Sequence, residues 1–223
     1  MKKIIGVVGV KTSGKSTVSS IIQDYLSLHN IDVKETALAD KLKNVCSRVF
    51  YLPRNTFDDQ RYKEIPFSIF NKTVKIAPVH LEKIIYSFGY SCGDVWGEVD
   101  YLIGTELKTA RHIAQIVGTQ VLRSIGDEDI HCKFLELGEG TTVISDIRFE
   151  NEFNYFNNLN DYEFIPLYVG RKEAEDKVDF KTSHESETEV FKFRDRCIKI
   201  DNNSTIDNLD KTVRNILRMY YEL

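Results

Sequence analysis

A glycine-rich loop near the start of the chain carries the residues best suited to chemistry. Residues 9–16 read Gly-Val-Lys-Thr-Ser-Gly-Lys-Ser and match the pattern G-x-x-x-x-G-K-[ST] at every fixed position. Glycines allow backbone N–H groups to close around phosphate oxygens, and a following helix N-terminus adds partial positive charge. Lys15 would contact the β- and γ-phosphates, and the Ser16 hydroxyl would bind Mg²⁺. The loop predicts a nucleoside triphosphate site; the alternative is a glycine turn in an ordinary strand–helix unit.

The segments on either side of this loop have the patterns that such a site requires. Residues 3–9 form a short, apolar, β-branched run, which is typical of a buried parallel strand. Residues 15–28 place apolar side chains at helical spacing. A strand, a glycine loop and a helix in this order favour the phosphate-binding interpretation.

An acidic and a basic residue follow an apolar strand later in the chain. Asp146 closes a strand predicted over residues 141–146, and Arg148 comes two positions later. A carboxylate at this point would either hold the hydration shell of Mg²⁺ or cap the next helix. The sequence leaves both roles open.

Two pairs of polar residues suggest a site for a second ligand. Arg111 and Gln115 are spaced i, i+4 on a predicted helix, so they would either face one ligand or lie on a solvated surface. Lys41 and Lys43 follow the second predicted strand, where open α/β sheets bind ligands, although lysines there also serve solubility.

Strands alternate with helices along the chain, which predicts an α/β fold with a parallel sheet flanked by helices. Besides the first strand and helix, strands are predicted over residues 32–39, 141–146, 162–170 and 196–201, and helices over residues 40–50, 78–90, 108–125, 127–137, 149–159 and 205–221. Residues 51–79 resemble an insert, and the glycine-rich residues 89–104 are predicted to form a loop region. Residues 171–195 are dense in charge without a period, which indicates a mobile surface segment.

Composition limits the class of protein. The 223 residues suit one α/β domain, and the net charge of −4 with a pI near 5.8 argues against a general nucleic-acid binder. Four widely spaced cysteines without a C-x-x-C pair fit reduced thiols. We find no signal peptide and no apolar run of membrane-spanning length, so we expect a cytoplasmic protein with no membrane partner.

Two motifs resemble those of the phage deoxynucleoside monophosphate kinases. Residues 145–152, Ser-Asp-Ile-Arg-Phe-Glu-Asn-Glu, are similar to the S-D-x-R-x-x-x-E element of that family. Residues 111–119, Arg-His-Ile-Ala-Gln-Ile-Val-Gly-Thr, resemble its R-x-x-x-Q-x-x-G-T helix. The phosphate loop, residues 184–187 and residues 201–203 fall in the expected order, so the resemblance covers nearly the whole chain.

One position departs from the family pattern. The family often has a Gly-Pro-x-Lys turn after the second strand, whereas residues 39–43 read Ala-Asp-Lys-Leu-Lys. Whether Lys41 or Lys43 would hold the acceptor phosphate therefore stays open.

The resemblance implies a single P-loop NTPase-type domain over residues 1–223, with an acceptor-side insert at about 51–104 and a lid at about 171–195. It implies transfer of the γ-phosphoryl group of ATP, with Mg²⁺, to a (deoxy)nucleoside monophosphate, with Lys15, Asp146 and Arg148 as the catalytic residues. Ser16 would bind the metal, and Asp146 would reach it through water. The implied triphosphate site consists of Gly9, Lys11, Ser13, Gly14, Lys15, Ser16, Thr17, Asn202 and Asn203. The implied acceptor site consists of Lys41, Arg111, Gln115, Thr119, Arg148 and Glu152.

Other functions remain open at this stage. The nearest is a P-loop kinase of another phosphorylated metabolite or of a nucleoside, and a different class is a nucleotide-dependent switch protein. A GTPase would need an N-K-x-D element, and the nearest stretch, residues 202–204, reads Asn-Asn-Ser. The sequence predicts a small-molecule nucleotide as partner, but it leaves open the accepted base, a homodimer, the role of residues 51–104, and which of Arg171, Arg194 and Arg196 serves the lid.

Overall fold

The structure, a computed structural model, describes residues 2–123, 125 and 127–223. Met1, Ser124 and Gly126 lie outside the described residues. Ser124 belongs to the helix predicted over residues 108–125.

Five strands of the described chain form one parallel sheet, in the order β2-β5-β1-β6-β7, and two short strands form an antiparallel pair, β3-β4. The strands are β1 (Lys2–Val8), β2 (Val33–Thr36), β3 (Val74–Lys75), β4 (Glu106–Leu107), β5 (Thr141–Ile147), β6 (Tyr162–Gly170) and β7 (Ile198–Asp201). Each strand predicted from the sequence lies in the parallel sheet. The predicted α/β class is confirmed, and it is consistent with a P-loop kinase fold.

Helices follow the strands along the chain. They are α1 (Lys15–Leu28), α2 (Ala39–Val49), α3 (Asn55–Asp58), α4 (Gln60–Lys63), α5 (Pro78–Ser87), α6 (Cys92–Val99), α7 (Ala110–Gln115), α8 (Ile130–Lys133), α9 (Glu150–Asn157), α10 (Lys172–Glu175), α11 (Glu185–Thr188), α12 (Val190–Phe193) and α13 (Ile206–Tyr221). Short 3₁₀ turns cover Phe67–Phe70, Asp100–Leu102 and Arg194–Arg196, and a π-helix covers Ile116–Val121. Among the described residues, no helix is both long and apolar enough to cross a membrane.

The chain forms two compact units. The first, which we call the sheet unit, comprises Met1–Leu38 and Leu135–Leu223; the second, the inserted unit, is Ala39–Phe134. The inserted unit contains the residues 51–104 that the sequence marked as an insert. The prediction of one domain over residues 1–223 stays a prediction.

The sheet unit has an apolar layer on each face. On one face, α1 and α13 pack together and against the sheet, because Val18 and Ile22 of α1 and Leu209 and Val213 of α13 are buried at helical spacing. The rings of Phe153, Phe156, Phe164 and Phe193 form a second, aromatic cluster around α9, β6 and α12. β1 lies between β5 and β6, and this central position fixes the loop that follows it.

Burial also revises the interpretation of residues 171–195. Val190 and Phe193 are fully buried, so the prediction of a surface segment is wrong for α12. The short helix buries two apolar side chains three positions apart, a spacing that charged neighbours conceal in the sequence. Closure of this segment as a lid stays a prediction.

The inserted unit differs from expectation in one predicted loop and in two predicted helices. The loop predicted over residues 89–104 is wrong, since α6 lies within it and buries Val95 and Val99. Gly89 and Gly104, which have φ values of +79° and +87°, lie at the two ends of this region. The helix predicted over residues 127–137 is only four residues long, as α8.

The helix predicted over residues 108–125 changes type along its length. It begins as α7 and continues as the π-helix Ile116–Val121, where the N–H of Leu122 donates to the carbonyl of Val117 at 3.0 Å. A β-carbon at Gly118 would lie 2.9 Å from Leu42 Cδ2, so the glycine allows α2 to approach closely. Single turns of π-helix are frequent at functional sites.

Candidate functional site

The phosphate loop connects the carboxyl end of β1 to the first residue of α1. Gly9 and Gly14 have φ values of +150° and +104°, which favour glycine. A β-carbon at Gly9 would also lie 2.7 Å from Ser13 Oγ and 2.8 Å from the carbonyl oxygen of Val169. The motif glycines are therefore required by the backbone that forms the loop.

The side chain of Lys15 folds back onto this loop. Its Nζ donates to the carbonyl oxygens of Gly9 at 2.8 Å and Val10 at 2.6 Å. Burial and, to a smaller extent, the charge of Arg148 lower the pKa of Lys15 to about 7, although Glu187 and Asp146 act in the opposite sense. Two cationic side chains thus share a partly desolvated site at the loop.

A carboxylate from the charge-rich segment lies on the loop. Glu187 Oε2 accepts the backbone N–H of Lys11 at 2.5 Å, and its Oε1 accepts from Arg148 Nη1 at 2.5 Å. Burial opposes ionisation of Glu187, but the Arg148 charge and the Lys11 N–H outweigh it and hold the pKa of this carboxyl below its ordinary value. The loop N–H and the guanidinium together therefore hold an oxyanion.

Asp146 joins two strand ends. Its Oδ1 accepts the backbone N–H of Leu38, which follows β2, at 2.7 Å. The alternative that Asp146 caps the next helix is wrong, because α9 has Phe149 at its N-cap position. The interaction with a metal through water stays a prediction.

Glu152 performs the capping instead. This side chain is only 4% exposed, and its Oε2 accepts the backbone N–H groups of Arg148 at 2.8 Å and Phe149 at 3.1 Å. Located at the third position of α9, it satisfies donors that a helix N-terminus leaves free. Its predicted contact with the acceptor stays a prediction, and the structure adds a contact that fixes the backbone of Arg148.

The two asparagines after β7 hold the backbone around the loop. Asn202 Nδ2 donates to the Ser13 carbonyl at 2.7 Å, and the Asn202 N–H donates to the Gly170 carbonyl at 2.8 Å. Because a trans peptide is planar, fixing the Ser13 carbonyl directs the N–H of Gly14 the opposite way. Asn203 Oδ1 accepts the N–H of Lys172 at 2.8 Å. Contact of either amide with the nucleotide stays a prediction.

Ser16 and Thr17 lie in the exposed first turn of α1. Throughout this turn, all of which the structure describes, there is no acidic side chain. The partial positive charge of the helix N-terminus is therefore not offset by a carboxylate on the helix itself.

A cavity of about 340 Å³ lies in the sheet unit at the carboxyl ends of β6 and β7. Its lining includes Tyr168, Glu175, Arg194, Lys199, Asp201 and Asn203. Of the three arginines left open by the sequence, Arg194 is the one that lines this cavity. Arg171 pairs with Glu173 at 3.1 Å, and Arg196 lies 4.2 Å from the centre of the Phe153 ring.

The predicted acceptor residues outside the sheet unit lie on α2, α7 and the π-helix. Arg111 Nε is 2.5 Å from Glu64 Oε1. Thr119 Oγ1 donates to the Gln115 carbonyl at 2.5 Å. Arg111, Gln115 and Thr119 thus belong to one continuous helical stretch, as the motif predicted.

The two candidate lysines have different environments. Lys41 Nζ lies 3.2 Å from the centre of the Phe134 ring and 5.0 Å from that of Phe88, and burial lowers the pKa of Lys41. Lys43 pairs with Asp58 at 3.1 Å. The structure thus separates a lysine held over aromatic rings from one held by a carboxylate.

The sequence did not predict the contacts of Glu187 and Asn202 with the loop. The stretch containing Glu187 lies in the charge-rich segment, and a histidine beside acids on its own indicates a solvated surface. Asn202 was expected in the triphosphate site, and the structure adds a bond from its amide group to the loop backbone. No local pattern signals either contact.

The pH dependence of stability tests the environment of Lys15. Because its folded pKa of about 7 is below the ordinary 10.5, the unfolded chain binds more protons between these values. The free energy of unfolding should therefore rise with pH in this window. This free energy is measured by urea unfolding in a buffer without phosphate. For the wild type it should increase, relative to that of Lys15→Met, by up to about 1.4 kcal/mol per pH unit. Lys11→Met is the control; parallel curves for wild type and Lys15→Met would contradict the account.

The capping role of Glu152 predicts a graded loss of stability. Glu152→Ala leaves two backbone N–H groups without their acceptor and should reduce the free energy of unfolding by about 2–4 kcal/mol. Glu152→Gln retains an acceptor oxygen and should lose about 1 kcal/mol. Urea unfolding at neutral pH measures both; equal losses would show that the charge, rather than the acceptor, holds the start of α9.

The chain is similar to a viral protein. The chain matches no protein-family profile. A protein of Acanthamoeba polyphaga mimivirus, which carries the provisional name deoxynucleotide monophosphate kinase, is 26% identical over 221 residues, covering 92% of this chain and 90% of the relative. This similarity supports membership of a kinase-like family and, in general terms, a phosphotransferase activity.

Proposed function

We propose that this protein is an ATP-dependent kinase that transfers the γ-phosphoryl group to a (deoxy)nucleoside monophosphate and forms the diphosphate. The observation that carries the proposal is the phosphate loop, where a backbone N–H and a guanidinium jointly hold an oxyanion beside Lys15. The similarity, over 92% of the chain, to a protein provisionally named a deoxynucleotide monophosphate kinase supports the same class of reaction.

The geometry of the sheet unit supports a donor site at the phosphate loop. The loop glycines bring the backbone close to a ligand, and α1 starts immediately after them. Lys15 and Arg148 supply two positive charges in a partly buried site, where electrostatic interactions are stronger than in water. This arrangement fits the triphosphate of a nucleotide.

Ser16 and Asp146 would hold Mg²⁺, Ser16 directly and Asp146 through water. Both offer oxygen atoms, the ligands that this ion prefers, and the Ser16 residue is exposed. When bound, the metal would neutralise charge on the phosphates. Asp146 is kept in place by its bond to the Leu38 N–H.

The protein's contribution to transfer would be positioning and charge stabilisation. Such transfer needs little covalent chemistry from side chains, since the charge builds up on phosphoryl oxygens. Arg148, fixed through its backbone by Glu152, would bind an oxygen of the transferred group. Lys15 would exchange its two loop carbonyls for phosphate oxygens.

Arg111 would bind the 5′-phosphate of the acceptor, and Gln115 would contact the base or ribose. A guanidinium forms paired hydrogen bonds with phosphate, and here it must exchange Glu64 for that ligand. Thr119 and Lys41 are further candidates for this site.

Steady-state kinetics with ATP, Mg²⁺ and several deoxynucleoside monophosphates tests the proposal. Arg111→Ala removes a charge-assisted bond of about 1.5–3 kcal/mol, so kcat/KM should fall roughly ten- to hundredfold for every monophosphate. Gln115→Ala should lose about 1 kcal/mol and change the ranking of the bases. The KM for ATP should change little in either variant.

Wild-type enzyme without an acceptor, and with free nucleosides, provides the controls. ADP formation that needs no acceptor would indicate a hydrolase or switch protein, and transfer to nucleosides alone would indicate a nucleoside kinase. If Arg111→Ala weakens the binding of ATP as much as the binding of the acceptor, Arg111 acts on the donor instead.

A further inference from the structure

The phosphate loop is bound by an anion that belongs to the chain itself. Glu187 places one carboxylate oxygen on the N–H of Lys11 and the other on the guanidinium of Arg148. The side chains of Arg148 and Glu187 are 27% and 14% exposed, so their ion pair is partly shielded from water. A phosphoryl group would need the same two donors.

The local structure gives Glu187 a firm anchor on one side and a polar, exposed segment on the other. It lies on α11, directly before α12, whose Val190 and Phe193 are buried. On its N-terminal side, residues 179–182 are largely exposed and bonded among themselves, for example Lys181 N–H to Asp179 Oδ1 at 2.9 Å. Movement of α11 can therefore withdraw the carboxylate while the buried residues of α12 stay in place.

We propose that Glu187 is an intramolecular ligand of the phosphate loop that competes with the donor triphosphate. Its carboxylate holds Lys11 and Arg148 before nucleotide binds, and it leaves both when a phosphate takes its place. The identity of the donor rests on the function proposed above; the competition itself concerns any phosphate anion.

Competition has a consequence that a fixed ion pair does not. A ligand that must displace an internal group has a lower apparent affinity. Its affinity for the open loop is multiplied by the fraction of protein molecules in which the loop is free. Neutralising Glu187 should therefore tighten anion binding. If Glu187 only kept Arg148 in position, the same change should weaken it.

Calorimetric titration with inorganic pyrophosphate without metal, and then with ATP and Mg²⁺, tests the competition. Glu187→Gln should bind pyrophosphate roughly ten- to hundredfold more tightly than wild type, since one charge-assisted contact no longer competes. Glu185→Gln is the matched control, because Glu185 is exposed on the same short helix. It should bind like wild type.

Equal or weaker binding by Glu187→Gln would overturn the inference, and the kinase proposal would stand if transfer persisted. Absence of binding of both pyrophosphate and ATP to wild type would overturn both proposals. Should Glu187→Gln not fold, hydrogen exchange of wild type serves instead: amides of residues 185–188 should exchange faster with pyrophosphate bound. Unchanged or slower exchange there would contradict the competition.

Discussion

The hydrogen bonds and charges at the phosphate loop, which together attract an anion, are the constraint on which the rest of the sheet unit depends. The loop gathers backbone N–H groups, the N-terminus of α1, Lys15 and Arg148 around one point, and all of these attract an anion. In the structure, Glu187 supplies that anion, and Lys15 is satisfied by two loop carbonyls. Both cationic side chains therefore have hydrogen-bond partners within the chain.

The parallel sheet explains why distant segments converge on this loop. In such a sheet the carboxyl ends of the strands lie along one edge, so the residues after each strand meet there. Asp146 and Arg148 come from the end of β5, Asn202 follows β7, and the loop itself follows β1. Asn202 binds the loop directly, and Arg148 shares the carboxylate of Glu187 with it. Asp146 binds the backbone that follows β2.

Local patterns predicted those parts of the fold that depend on neighbouring residues. The predicted helix over residues 15–28 and the predicted strand over residues 162–170 coincide with α1 and β6, because apolar periodicity there is uninterrupted. The loop predicted for the glycine-rich region that contains α6 was wrong. Gly93 and Gly97 lie inside this helix, and burial of its apolar face outweighs their low helix propensity.

The candidate site was predictable where it follows a contiguous motif and unpredictable where distant residues meet. The loop residues and the motif around Arg148 are short and continuous. The contact of Lys11 with Glu187 joins residues 176 positions apart, and that of Asn202 with Ser13 joins residues 189 positions apart. Such contacts depend on the strand order, which a single sequence does not encode in any short pattern.

The central claim, phosphoryl transfer to a deoxynucleoside monophosphate, is tested most directly by phosphorus-31 NMR of the reaction mixture. Purified protein is incubated with ATP, Mg²⁺ and one deoxynucleoside monophosphate at a time. The account predicts that, with at least one of them, ADP and the deoxynucleoside diphosphate appear in equal amounts without inorganic phosphate. Release of inorganic phosphate alone, or unchanged spectra with every monophosphate, would contradict it.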